Sequence, residues 1–99
     1  MQQLATDWLK PRLGSEWVCS TLGPDTIFQK DKFRLIVSMP TPESLEVTFE
    51  PTGAHVDIQN DPGAGLQARM WHTSRTHGHY EHYTDIGSVL DRYLRMLFE

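Results

Sequence analysis

The sequence has a single cysteine, Cys19, so an internal disulfide is excluded, and it has no CxxC pair to bind a metal or run thiol chemistry. No apolar run approaches the roughly 20 residues that span a bilayer, so no membrane insertion is expected. An excess of Lys and Arg is also missing: 9 basic residues face 13 acidic ones, for a formal charge of −4. The imbalance is even, with 5 basic and 7 acidic residues in 1–50 and 4 and 6 in 51–99. Proteins that grip phosphates displace counterions with Lys and Arg, so direct nucleic-acid binding is not expected. The opening MQQLATDWLKP lacks a basic n-region and an apolar h-region, and the expected compartment is the cytoplasm.

Catalytic signatures are equally scarce. No serine sits in a G-x-S-x-G elbow, and no HExxH occurs. Gly63-Ala64-Gly65 does not precede a helix and lacks the lysine of a phosphate loop. Cys19, between Val18 and Ser20 and close to Trp17, reads as a small buried hydrophobe. Glu46, Glu50 and Asp57 are candidate paired carboxylates, but on an open sheet face water would keep them ordinary acids. The expectation is a protein with no catalytic residues and no cofactor.

What is present is a globular composition, 38% hydrophobic over 99 residues. This is the length of one domain, 1–99, which should leave about 5,800 Å² accessible after folding. Leu4, Trp8, Leu9 and Leu13 recur at helical spacing before Gly14, with Pro11 expected to kink or shorten that helix. Near the other end, Thr84 or Asp85 can cap a helix whose Ile86, Val89, Leu90, Tyr93, Leu94 and Leu97 form one stripe.

Between them the period changes to two. Phe33, Leu35, Val37 and Met39 alternate, as do Leu45, Val47 and Phe49, then Val56 and Ile58, then Leu66, Ala68 and Met70. Pro- and Gly-containing turns separate these runs, so they should pair as antiparallel hairpins. Keeping all apolar residues on one face sets Val37 opposite Val47, Phe49 opposite Val56, Val47 opposite Ile58, Ile58 opposite Ala68, and Val56 opposite Met70. The same registers set Arg34 across from Glu50 and Asp57 across from Arg69, each pair worth roughly 0.2–1 kcal/mol. Further strands are expected at Glu16–Ser20, Thr26–Gln29 and His79–Tyr83. The expected fold class is α+β, two-layer: an antiparallel sheet of five to six strands with the N- and C-terminal helices packed on one face. The order helix, strands, helix is shared by unrelated families, frataxins among them, and the likeness stops there, since the first helix holds only Asp7 as an acid and lacks an iron-binding carboxylate ridge.

Two features stand out as candidate sites. His72, His77, His79 and His82 fall within eleven residues, and on a strand His77 and His79 would share a face with Glu81. Their H-x4-H-x-H-x2-H spacing matches no established metal motif, and a polar turn with an edge strand is the favoured account. The second feature is acidic: Glu43, Glu46, Glu50, Asp57 and Asp61 lie between Thr41 and Asp61 with no Lys or Arg among them. On the expected hairpin Glu46, Glu50 and Asp57 point one way, with Trp71 and Ile36 exposed nearby. Charge that steers encounter beside an aromatic anchor suits a protein-binding patch.

The expectation that follows is a small acidic interaction domain using Glu43, Glu46, Glu50, Asp57 and Trp71 against a larger basic partner. Toxin-immunity proteins and phage-encoded inhibitors of bacterial defence complexes work in this way. Two rivals stand beside it. One is a metal-binding protein or metal-dependent enzyme built on the four histidines. The other is a structural subunit or homodimer associating through Trp71 and strand edges.

Overall fold

The structure, a computed structural model, describes residues 1–72, 75–76 and 79–98, with 75–76 described as backbone. Helix α1 spans Gln2–Leu13 and α2 spans Ile86–Leu97. Between them run β1 (Val18–Leu22), β2 (Asp25–Lys30), β3 (Phe33–Ser38), β4 (Ser44–Glu50), β5 (Ala54–Asp61), β6 (Gly65–His72), β7 (Arg75–Thr76) and β8 (Glu81–His82). All pairings are antiparallel. Strands β1 to β7 lie side by side in chain order, and β8 pairs with β6 further along the edge that β7 occupies. The path therefore has seven strands rather than five to six. The addition is β7, whose two residues are too few to show alternation in a sequence.

Pairing of β3 with β4 and of β5 with β6 follows the hydrophobic pattern, with Val37 opposite Val47, Leu35 opposite Phe49, Ile58 opposite Ala68 and Val56 opposite Met70. The hairpin between β4 and β5 is shifted by two residues from expectation: Val47 faces Val56, Leu45 faces Ile58 and Phe49 faces Ala54. A tight turn causes this. Gly53, at φ 81°, donates its N–H to the Phe49 carbonyl at 2.8 Å, which closes the loop before Ala54. A slip of two keeps every side chain on its face, so hydrophobic patterning alone could not distinguish the registers.

The apolar face of the sheet carries Phe28, Leu35, Val37, Leu45, Val47, Phe49, Val56, Ile58, Ala68 and Met70, all buried against Ala5 and Leu9 of α1 and Ile86, Val89, Leu90, Tyr93 and Leu97 of α2. Each such aliphatic side chain contributes roughly 1.5–3 kcal/mol by leaving water. The total accessible surface is 5739 Å², as chain-length scaling implies.

Helix α2 is capped by Asp85, whose Oδ1 accepts the Ser88 N–H at 2.7 Å and its hydroxyl at 2.9 Å. Helix α1 continues through Pro11 to Leu13, since a proline in the last turn forfeits only a bond near the helix end. It is also rotated from its expected orientation: Ala5, Thr6 and Leu9 are buried and Leu4 is exposed. Gln2 holds that rotation, its amide donating to the Pro24 carbonyl at 2.9 Å, Thr26 Oγ1 at 3.1 Å and the Val37 carbonyl at 3.3 Å. No helix among the described residues is long and apolar enough to cross a membrane.

Candidate docking face

The second face of the sheet has no helix over it and is organised in rows that cross the strands. The central row runs Ile27, Ile36, Thr48, His55, Trp71, each opposite the next in the pairing of β2 through β6. Ile27 is 4% exposed and Ile36 half-buried, whereas Trp71 at 41% stands out of the face. The Trp71 ring stacks on His55 at 5.7 Å and 22°, and His55 Nδ1 lies 3.1 Å from the Gly53 carbonyl. Ile36 was expected to be exposed and is not; its neighbours in the row shelter it. His55 and Ile27 were not singled out from sequence: the β5–β6 register sets His55 opposite Trp71, only the observed β4–β5 register carries the row on to Thr48, and Ile27 joins it through the β2–β3 pairing.

Charged rows flank this stripe. On one side Ser38, Glu46, Asp57 and Arg69 are successive partners, and on the other Gln29, Arg34 and Glu50. Glu46, Glu50 and Asp57 thus share a face with Trp71. The acids differ in what they touch. Asp57 Oδ2 accepts the Tyr80 hydroxyl at 3.0 Å and lies 3.6 Å from Arg69 Nε, with the Arg69 guanidinium 4.6 Å from the Tyr80 ring centre. Burial raises the Tyr80 hydroxyl above the ordinary tyrosine range, and its bond to Asp57 adds to that. Glu50 lies 3.6 Å from Arg34 Nη1. Glu46 accepts only the Thr48 hydroxyl, at 3.3 Å, and among the described residues meets no Lys or Arg. Its charge is the one left to act outward.

Glu43 lies off the face, in the turn before β4, where its carbonyl accepts the Asn60 N–H at 2.7 Å. Beside it is Asp61, whose carboxyl is held below the usual range by the backbone N–H groups of Ala64 and Gly63. These two acids sit at one end of the sheet, so Glu43 is an edge charge rather than part of the row.

Among the described residues the histidines do not assemble as a group. His72 is buried on the face it shares with Ala68 and Met70, while His79 and His82 are exposed. The face expected for His77, His79 and Glu81 involves His77, which lies outside the described residues, and Glu81 is paired with Arg92 of α2. Among the described residues no three His, Cys, Asp or Glu side chains meet in a metal-holding arrangement. Cys19 is exposed, not buried as expected, because β1 extends past the cover of both helices.

A mixed row ending in a projecting indole, bordered by three carboxylates and the two arginines that pair Glu50 and Asp57, is suited to recognition by contact: the indole can anchor and Glu46 favours positive charge. Comparison of the chain with protein-family models, with curated proteins and with solved structures gives no match.

Proposed function

We propose that the chain is a non-enzymatic interaction domain whose open sheet face docks on a basic surface of a larger protein and blocks it, in the manner of an inhibitor or immunity protein. The observation that carries this reading is the stripe from Ile27 to Trp71 lying between Glu46 and Glu50. Trp71, 41% exposed on an otherwise polar sheet face, fills no core there, and a partner would bury it. The Glu46 carboxylate, which meets no Lys or Arg among the described residues, favours a Lys- or Arg-rich partner. A nucleic acid, with the same sign of charge, would be repelled.

Affinity capture from the native host, with wild type and with Trp71→Ala and Glu46→Lys run side by side, tests the assignment. A basic protein retained by wild type and lost by both variants supports it. Equal retention by all three means that another surface binds.

A further inference from the structure

The two edges of the sheet are built differently. At one end the outer edge of β6 is covered by β7 and β8, two short strands of the kind that blunt an edge against further pairing. At the other end β1 has, among the described residues, β2 on one side only, and all five of its residues are exposed. Its sequence, Val-Cys-Ser-Thr-Leu, contains no charge and no proline, and the nearby Glu16 is held by Lys30 at 2.7 Å. Val18 and Leu22, 65% and 63% exposed, sit at the two ends of the strand with Ser20 midway. We propose that β1 pairs with β1 of a second copy, antiparallel about a two-fold axis through Ser20, joining two sheets into one.

Backbone alternation limits the register to even shifts, and the exposed Val18 and Leu22 select among them. Leu22 and Asp25 close a two-residue turn at Gly23 and Pro24, with Gly23 at φ 60°, and so form a hydrogen-bonded pair. Pairs alternate along an antiparallel ladder, so the N–H and C=O groups of Cys19 and Thr21 point away from β2. A two-fold axis through Ser20 sets Cys19 opposite Thr21 of the mate and satisfies these groups reciprocally. The same axis sets Val18 opposite Leu22 of the mate, twice, covering both exposed aliphatic side chains. A one-residue shift would oppose outward groups to inward ones. The edge is uncharged in a chain of charge −4, so two copies meet here without facing carboxylates. This pairing stands independently of the docking reading. Where both hold, the row that includes Ser20 and Ile27 continues through the axis, and the stripes of two copies become one.

Sedimentation of the full chain over a concentration series reaching millimolar tests the proposal. Wild type should pass from monomer to dimer, and Ser20→Lys, which sets two ammonium groups face to face, should stay monomeric with an unchanged circular dichroism spectrum. Thr21→Pro, which removes only an outward N–H, should do the same. Mild oxidation reads the register. In a Cys19→Ser background, Ser20→Cys should give a covalent dimer, because a non-hydrogen-bonded pair brings Cα atoms to about 4.5 Å. Wild-type Cys19, offset by two residues from its own mate, should not cross-link. A wild type that stays monomeric throughout, a dimer indifferent to Ser20→Lys, or cross-linking through Cys19 instead of position 20 would each overturn the proposal.

Discussion

Gly87, in the first turn of α2, lies against the indole of Trp8 in α1: a Cβ at position 87 would stand 3.1 Å from Trp8 Nε1 and 3.2 Å from Cδ1. On its own helix, the Trp8 ring is met by the Arg12 guanidinium, 4.0 Å from the ring centre. Arg12 is itself held by a bond from Nη1 to the Trp8 carbonyl at 2.9 Å. The glycine therefore sets how closely the two helices approach over the core.

Gly87→Val should destabilise the fold by roughly 1–3 kcal/mol, the usual cost of overpacking. In a Trp8→Ala background the same substitution should cost much less, since the obstructing ring is gone. Urea denaturation of the four proteins of this cycle measures the coupling, and additive effects would show that the contact is not what positions α2.

The α2 cap gives acid sensitivity of a defined sign. The Ser88 backbone N–H, and then its hydroxyl, hold the Asp85 carboxyl below its ordinary value of 3.8. A depressed carboxylate contributes stability that is complete above the ordinary value and is lost as pH falls through the lowered one. Asp85→Ala should lower Tm at neutral pH, and the difference from wild type should shrink below pH 3.8. Asp85→Asn, a competent cap without a titrating proton, should keep most of the Tm and lose the pH dependence. Thermal melts across the acid range check both.

At the other pH extreme, Tyr83 donates to Tyr93 Oη at 2.9 Å and accepts from Arg92 Nη1 at 3.0 Å. Burial, followed by the bond to Tyr93, pushes the Tyr83 hydroxyl well above its ordinary value of 10.0. A raised pKa gives stability that is complete below the ordinary value and is lost as pH rises through the raised one. Tyr83→Phe should cost about 1 kcal/mol near neutrality, and the gap should close as the solution becomes strongly alkaline. Urea midpoints at neutral and alkaline pH provide the measurement.

For the docking face, Glu46→Lys with Glu50→Lys should slow association with the captured partner roughly ten-fold or more at low salt, and the difference should fade as salt screens the charges. Trp71→Ala should act on dissociation instead, costing about 2 kcal/mol as an interface anchor. Stopped-flow association and dissociation rates at two ionic strengths separate these effects. A double lysine variant with unchanged low-salt association would remove the acids from the site.

The helix-sheet-helix order, the apolar face, a cap at Thr84 or Asp85 and the pairs Arg34–Glu50 and Asp57–Arg69 were all legible in the residues, because each rests on local spacing or on a short hairpin. The β4–β5 register was not, since a two-residue slip preserves every face and the choice belongs to the Gly53 turn. That slip sets Glu46 opposite Asp57 and His55 opposite Thr48, so the make-up of the rows escaped the sequence even though their face did not.

Alternation and helical stripes determined which side chains face the core, and composition determined the acidic balance, because both are properties of the chain read in order. Which acid keeps a free charge, which helix face turns down and which strand edge stays open were decided only by tertiary structure. Arg69, Tyr80 and Asp57 meet across separate strands, Gln2 reaches acceptors on β2, β3 and the turn before β2, and β1 lies bare because both helices end their cover before it. Contacts between residues far apart in the chain leave no periodic trace in it.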